Sequence, residues 1–74
     1  MDDTLELRKK IGKRILELRK KHNLSQEQIA LEIELDTSFI GRIERAERCP
    51  SLKTLCLLAK VFKIDILDFL NFKE

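Results

Sequence analysis

The chain has 74 residues, with 15 Lys/Arg against 13 Asp/Glu for a formal net charge of +2, 38% charged residues, and 5% aromatics without Trp or Tyr. That length holds a single domain, residues 1–74. The longest apolar run, Leu55 to Ala59, falls far below the ~18 residues of a membrane span, and Met1-Asp2-Asp3-Thr4 lacks the basic and apolar regions of a secretory signal, which points to the cytoplasm.

In chain order, Leu7, Ile11, Ile15 and Leu18 recur at spacings of four and three among Lys and Arg, predicting an amphipathic helix from about Asp3 to His22, with Asn23 as terminator. Ser25-Gln26-Glu27-Gln28 has the Ser-x-x-Gln pattern in which each side chain satisfies the other's free backbone donor. It opens a short helix, about Ser25 to Ile33, with Ile29, Ala30 and Ile33 inward. Glu34-Leu35-Asp36 follows, and Asp36 is expected to cap a third helix from Thr37 to about Arg45, with Ile40 and Ile43 inward. A loop closed by Pro50 leads to Ser51, the expected cap of a fourth helix whose face is Leu52, Leu55, Ala59 and Phe62. A last helix, Ile64 to Phe72, is expected to be capped at Asp65. The expected fold is all-α, a compact five-helix bundle.

The third helix can do chemistry. Helices two and three, about residues 25–45, are joined by three residues, as in a helix-turn-helix, whose second member lies in a DNA major groove. With Ile40 and Ile43 inward, Thr37, Ser38, Gly41, Arg42 and Arg45 face outward. Arg42 can reach a guanine edge with two parallel bonds, and Gly41 removes bulk where DNA comes close. Charge is distributed unevenly: residues 1–24 carry eight basic against four acidic groups, residues 25–49 three against six, and residues 50–74 four against three. DNA binding would therefore rest on placed residues and not on a bulk positive field.

Asn23 to Ala30, Phe39-Ile40-Gly41-Arg42-Ile43-Glu44-Arg45 and Pro50-Ser51-Leu52-Lys53-Thr54-Leu55 together resemble the phage Cro and repressor type of helix-turn-helix domain, a lambda-repressor-like fold. The resemblance covers about residues 8–70, and within the family the chain is most similar to controller proteins of restriction-modification systems. The resemblance implies a transcriptional regulator that binds double-stranded DNA. It implies base contacts from Thr37, Ser38 and Arg42, a phosphate contact from Gln26, and a partly buried pair, Arg19 with Glu44. Arg45 and Arg48 are the further candidates for the DNA backbone. Two departures stand out: Glu34 and Ala46 occupy turn positions where the family usually has Gly, so a left-handed backbone and about 1 kcal/mol of strain are expected there.

Other readings stay open at several residues. Arg42 and Arg45 also suit solvated cations at a helix end. Phe39 is either a core-edge residue or a thymine-methyl contact. Glu27 is either a first-turn dipole residue or part of a surface for RNA polymerase. Palindromic readout implies a homodimer, and Ile66, Leu67, Phe69 and Leu70, in a dimerisation helix of about residues 64–72, are its candidate interface. The rival function is a small antitoxin or protein-interaction module that holds a partner protein. Cys49 and Cys56 are expected to be free thiols. No cofactor, metal, small-molecule ligand or catalytic residue is expected, since no phosphate loop, ligand cluster or nucleophile set occurs.

Overall fold

The computed structural model describes residues 3–72; among them are five α-helices: α1 (Leu5–Lys21), α2 (Gln26–Glu32), α3 (Thr37–Glu44), α4 (Leu52–Val61) and α5 (Ile66–Phe69). Helix α3 packs against both α1 and α2, while α4 packs against α5 and α2. The core they enclose is Ile11, Ile15, Leu18, Ile29, Ala30, Ile33, Ile40, Ile43, Leu55, Leu58, Ala59, Phe62 and Phe69. Seven of these lie on α1, α2 and α3 at helical spacing, so burial of the apolar stripes fixes which face α3 turns outward.

Three helix starts are capped by side chains. Ser25 Oγ accepts from the Gln28 N–H at 3.1 Å and Gln28 Oε1 accepts from the Ser25 N–H at 2.7 Å, a reciprocal cap on α2. Ser51 Oγ accepts from the Thr54 N–H at 3.1 Å, and an Asp65 oxygen accepts from the Leu67 N–H at 2.8 Å. Asp36 has the extended backbone of an N-cap, but its side chain makes no cap bond.

The first four helices end alike. Asn23, Glu34, Ala46 and Lys63 all have φ between 55° and 64°. In each case the next residue's N–H bonds back to a carbonyl five positions earlier: Leu24 to Arg19, Leu35 to Ala30, Glu47 to Arg42 and Ile64 to Ala59. These are Schellman turns, which satisfy carbonyls the helix leaves open. Each is built on a residue with a Cβ, which a left-handed backbone penalises.

Three expectations need correction. Leu7 is exposed and the buried stripe of α1 begins at Ile11. On α4 the buried stripe runs through Thr54, Leu55, Leu58, Ala59 and Phe62, rotated toward Leu58, which leaves Leu52 at 72% exposure. The last helix is four residues long and not nine, because Ile64 is spent on the turn that ends α4, and Arg14 claims the carbonyls at the other end. Its Nε donates to Phe69 O at 3.2 Å and its Nη2 to Asp68 O at 3.1 Å.

Candidate nucleic-acid interface

Helices α2 and α3 are joined by Ile33 to Asp36, and the left-handed Glu34 sets the angle between them. The outward side of α3 carries Ser38 and Arg42, both exposed, with Thr37 half-buried at its first turn. The Arg42 side chain makes no hydrogen bond or ion pair with the described residues, so its fork of donors is available to a ligand.

Glu44, on the opposite flank of α3, is the hub of a fixed polar network. Arg19 of α1 donates to it twice, Nε to Oε2 at 2.7 Å and Nη2 to Oε1 at 3.1 Å, and also donates from Nη1 to Leu24 O at 3.2 Å. The Glu44 side chain is 7% exposed. Its carboxylate bonds hold the Arg19 guanidinium still more firmly protonated than usual, hydrogen bonding outweighing the opposing effect of burial. Gln26, the first residue of α2, donates from Nε2 to Glu44 Oε1 at 3.0 Å. Three helices therefore meet on one carboxylate, and Gln26 is held in a fixed pose at the foot of α3.

Gly41 is buried and does not belong to the open face. A Cβ there would stand 3.0 Å from Arg45 Nη1 and 3.4 Å from Gln26 Oε1, so the missing side chain makes room for these two side chains and not directly for DNA. Arg45 donates to Glu47, Nε to Oε2 at 2.8 Å, and Arg48 lies 5.2 Å over the Phe39 ring. Phe39 is half-buried against the core, which favours its core-edge reading. Glu27 and Leu31 are exposed on α2, beside a cleft of about 450 Å³ also lined by Leu35 and Thr37.

Of the expected interface on α5, Leu67 is 75% exposed and Ile66 and Leu70 are half-buried. Phe69 is a correction: it is fully buried, stacked 6.4 Å from Phe62, and belongs to the monomer's own core. Two contributors escaped the pattern reading. Gly12 lies where α1 and α3 cross, and Glu47 follows the left-handed Ala46; a glycine inside an otherwise strong helix was the signal for the first. Among the described residues both cysteines are free, no group of His, Cys, Asp or Glu converges as metal ligands, and no helix is long and apolar enough to cross a membrane.

A short helix held outward on a buried scaffold, with a glutamine fixed beside it, is the DNA-reading arrangement of a helix-turn-helix regulator. The chain belongs to the helix-turn-helix family, whose model matches residues 15–69. It is 34% identical over 62 residues to Control protein C.SmaI of Serratia marcescens, covering 84% of this chain and 74% of that one. It is 33% identical over 70 residues to Control protein C.BamHI of Bacillus amyloliquefaciens, covering 93% and 86%. Among solved structures, the restriction-modification controller protein C.AhdI from Aeromonas hydrophila superposes with a TM-score of 0.79 at 37% identity, covering 84% of this chain and 94% of that one. The protein is thus a DNA-binding regulator of transcription related to restriction-modification controllers, and not an enzyme.

Proposed function

We propose that the protein acts in the cytoplasm as a controller-type regulator, a homodimer that reads a roughly palindromic operator with two copies of α3. The observation that carries this reading is the exposed Arg42 side chain beside Ser38 and Thr37 on α3, on a helix fixed from below by Arg19, Glu44 and Gln26. In it, Thr37, Ser38 and Arg42 contact base edges, while Gln26, Arg45 and Arg48 hold phosphates and set the register. One short helix touches too few bases to select a site alone, so a dimer with half-sites about 34 Å apart supplies the rest. The exposed Leu67 with half-buried Ile66 and Leu70 is the proposed dimer contact, and Glu27 is the proposed contact to RNA polymerase.

A gel shift on duplex DNA from the region upstream of the protein's own gene, run at several salt concentrations with wild type and Arg42→Ala, tests it. A salt-dependent shift that Arg42→Ala weakens selectively supports the reading. No shift, with tight co-purification of a neighbour-encoded protein, would favour an antitoxin-like role instead.

A further inference from the structure

At three of the four Schellman turns the second residue past the C-cap is apolar: Leu24, Leu35 and Ile64 pack against the core. That is the usual companion of the motif. At the end of α3 the same place is taken by Glu47, which is exposed. Its N–H bonds Arg42 O at 2.8 Å, so the turn folds Glu47 back over the last turn of α3. Its carboxylate takes Arg45 in a fork, Nε to Oε2 at 2.8 Å and Nη2 to Oε1 at 3.5 Å. The third guanidinium nitrogen, Nη1, lies over bare Gly41.

We propose that Glu47 is an internal counter-ion that stands in for a DNA phosphate at Arg45 and so limits binding to DNA of random sequence. This rests on α3 facing the duplex as proposed above. Random-sequence binding comes from phosphates neutralised by Lys and Arg, with release of the salt ions condensed on DNA. An arginine already neutralised by its own protein contributes little to that release, because a phosphate must first displace the carboxylate. Arg42 is within Coulomb reach of the same carboxylate, so one acid opposes two cations at the reading helix. Hydrogen bonding from Arg45 holds the Glu47 carboxyl below the usual carboxylate range, so it is charged wherever the protein meets DNA at neutral pH. Stability does not account for an acid in a normally apolar place, since an exposed pair adds little. The 15 Lys/Arg are nearly balanced by 13 Asp/Glu, for a net charge of +2, so the field that favours indiscriminate binding is weak, and the carboxylate neutralises one of the cations nearest the duplex.

The test is Glu47→Gln, with affinity measured by fluorescence anisotropy on a random duplex and on the upstream duplex. On random DNA the variant should bind more tightly and lose affinity with salt more steeply, by about 0.9 in the logarithmic slope, so that its advantage shrinks about three- to fourfold between 50 and 200 mM salt. In an Arg45→Ala background most of that advantage should vanish. An unchanged slope and affinity, weaker binding to both duplexes, or an equal gain without Arg45 would each overturn the proposal while leaving the DNA-binding reading intact. Wild-type protein that binds neither duplex would overturn both.

Discussion

Gly12 of α1 faces the carbonyl oxygen of Glu44 at the end of α3 so closely that a Cβ on Gly12 would stand 2.5 Å from it, and 2.7 Å from that of Ile43. Both obstacles are backbone atoms that cannot swing aside. Glycine in a helix interior ordinarily costs ~1 kcal/mol against alanine, so a free site would gain from Gly12→Ala. Here α1 and α3 would have to separate, and overpacking of this kind costs about 1–3 kcal/mol. Gly12→Ala should lower the thermal midpoint, by roughly 4–8 °C per kcal/mol in a domain this small. A raised midpoint would show that the helices part without loss.

Beside that crossing, the Arg19–Glu44 pair joins the same two helices. Glu44→Ala would leave a mostly buried guanidinium without its carboxylate and Gln26 without its acceptor. Removing one partner of a buried pair costs about 3 kcal/mol, against about 0.5 for an exposed pair. The Arg45–Glu47 pair, with side chains more than half exposed, is the internal control. Urea denaturation of the two variants should separate them clearly; midpoints that fall equally would mean the buried pair is no better than a surface one.

The left-handed helix ends offer stabilising changes. Lys63 is exposed, with φ 59°. Lys63→Gly relieves a strain of about 1–2 kcal/mol, offset in part by the greater freedom of glycine in the unfolded chain, leaving a gain of about 0.5–1 kcal/mol. Lys63→Ala retains the Cβ and should show none of that gain in the same melt.

These helix ends also mark what a sequence makes legible. Strain at Glu34 and Ala46 could be anticipated because a family pattern puts glycine at those places, whereas Lys63 has the same backbone and no such signal. The helices of α1 to α4, the cap at Ser25 and the outward Arg42 follow from spacings of three and four, which are local. Leu52, expected inside, is exposed, and Phe69, expected at an interface, is buried, because burial depends on which neighbour covers a helix carrying apolar residues on more than one side. Gly41 falls on the outward side of α3 by spacing alone, yet its bareness is used by Gln26 and Arg45, and the first of these comes from another helix. Glu47 lies outside any helix, and only the turn at Ala46 reveals what it touches.

Specificity and affinity should part between Arg42 and Gln26. Arg42→Ala should cost about 1–3 kcal/mol on the cognate duplex and relax preference at one position per half-site, since a bidentate contact to guanine discriminates. Gln26→Ala should weaken all duplexes nearly alike, because phosphates carry no sequence. Competition assays with single-base operator variants read the difference. Equal losses on cognate and random DNA for Arg42→Ala would assign it to the backbone.

The proposed dimer contact makes a final, two-sided prediction on α5. Leu67 is 75% exposed and Phe69 fully buried, although only Asp68 lies between them. A large apolar side chain left in water at the end of a small domain favours association, and a domain of this size gains stability from a second copy. Leu67→Glu should therefore give a folded monomer, with helical circular dichroism near that of wild type and much weaker operator binding. Phe69→Glu should instead unfold the chain, because it buries a charge beside Phe62 in the core. Sedimentation at micromolar concentration, run with circular dichroism, separates these outcomes. A wild-type protein that sediments as a monomer, or a Leu67→Glu variant that remains dimeric, would move the interface away from α5.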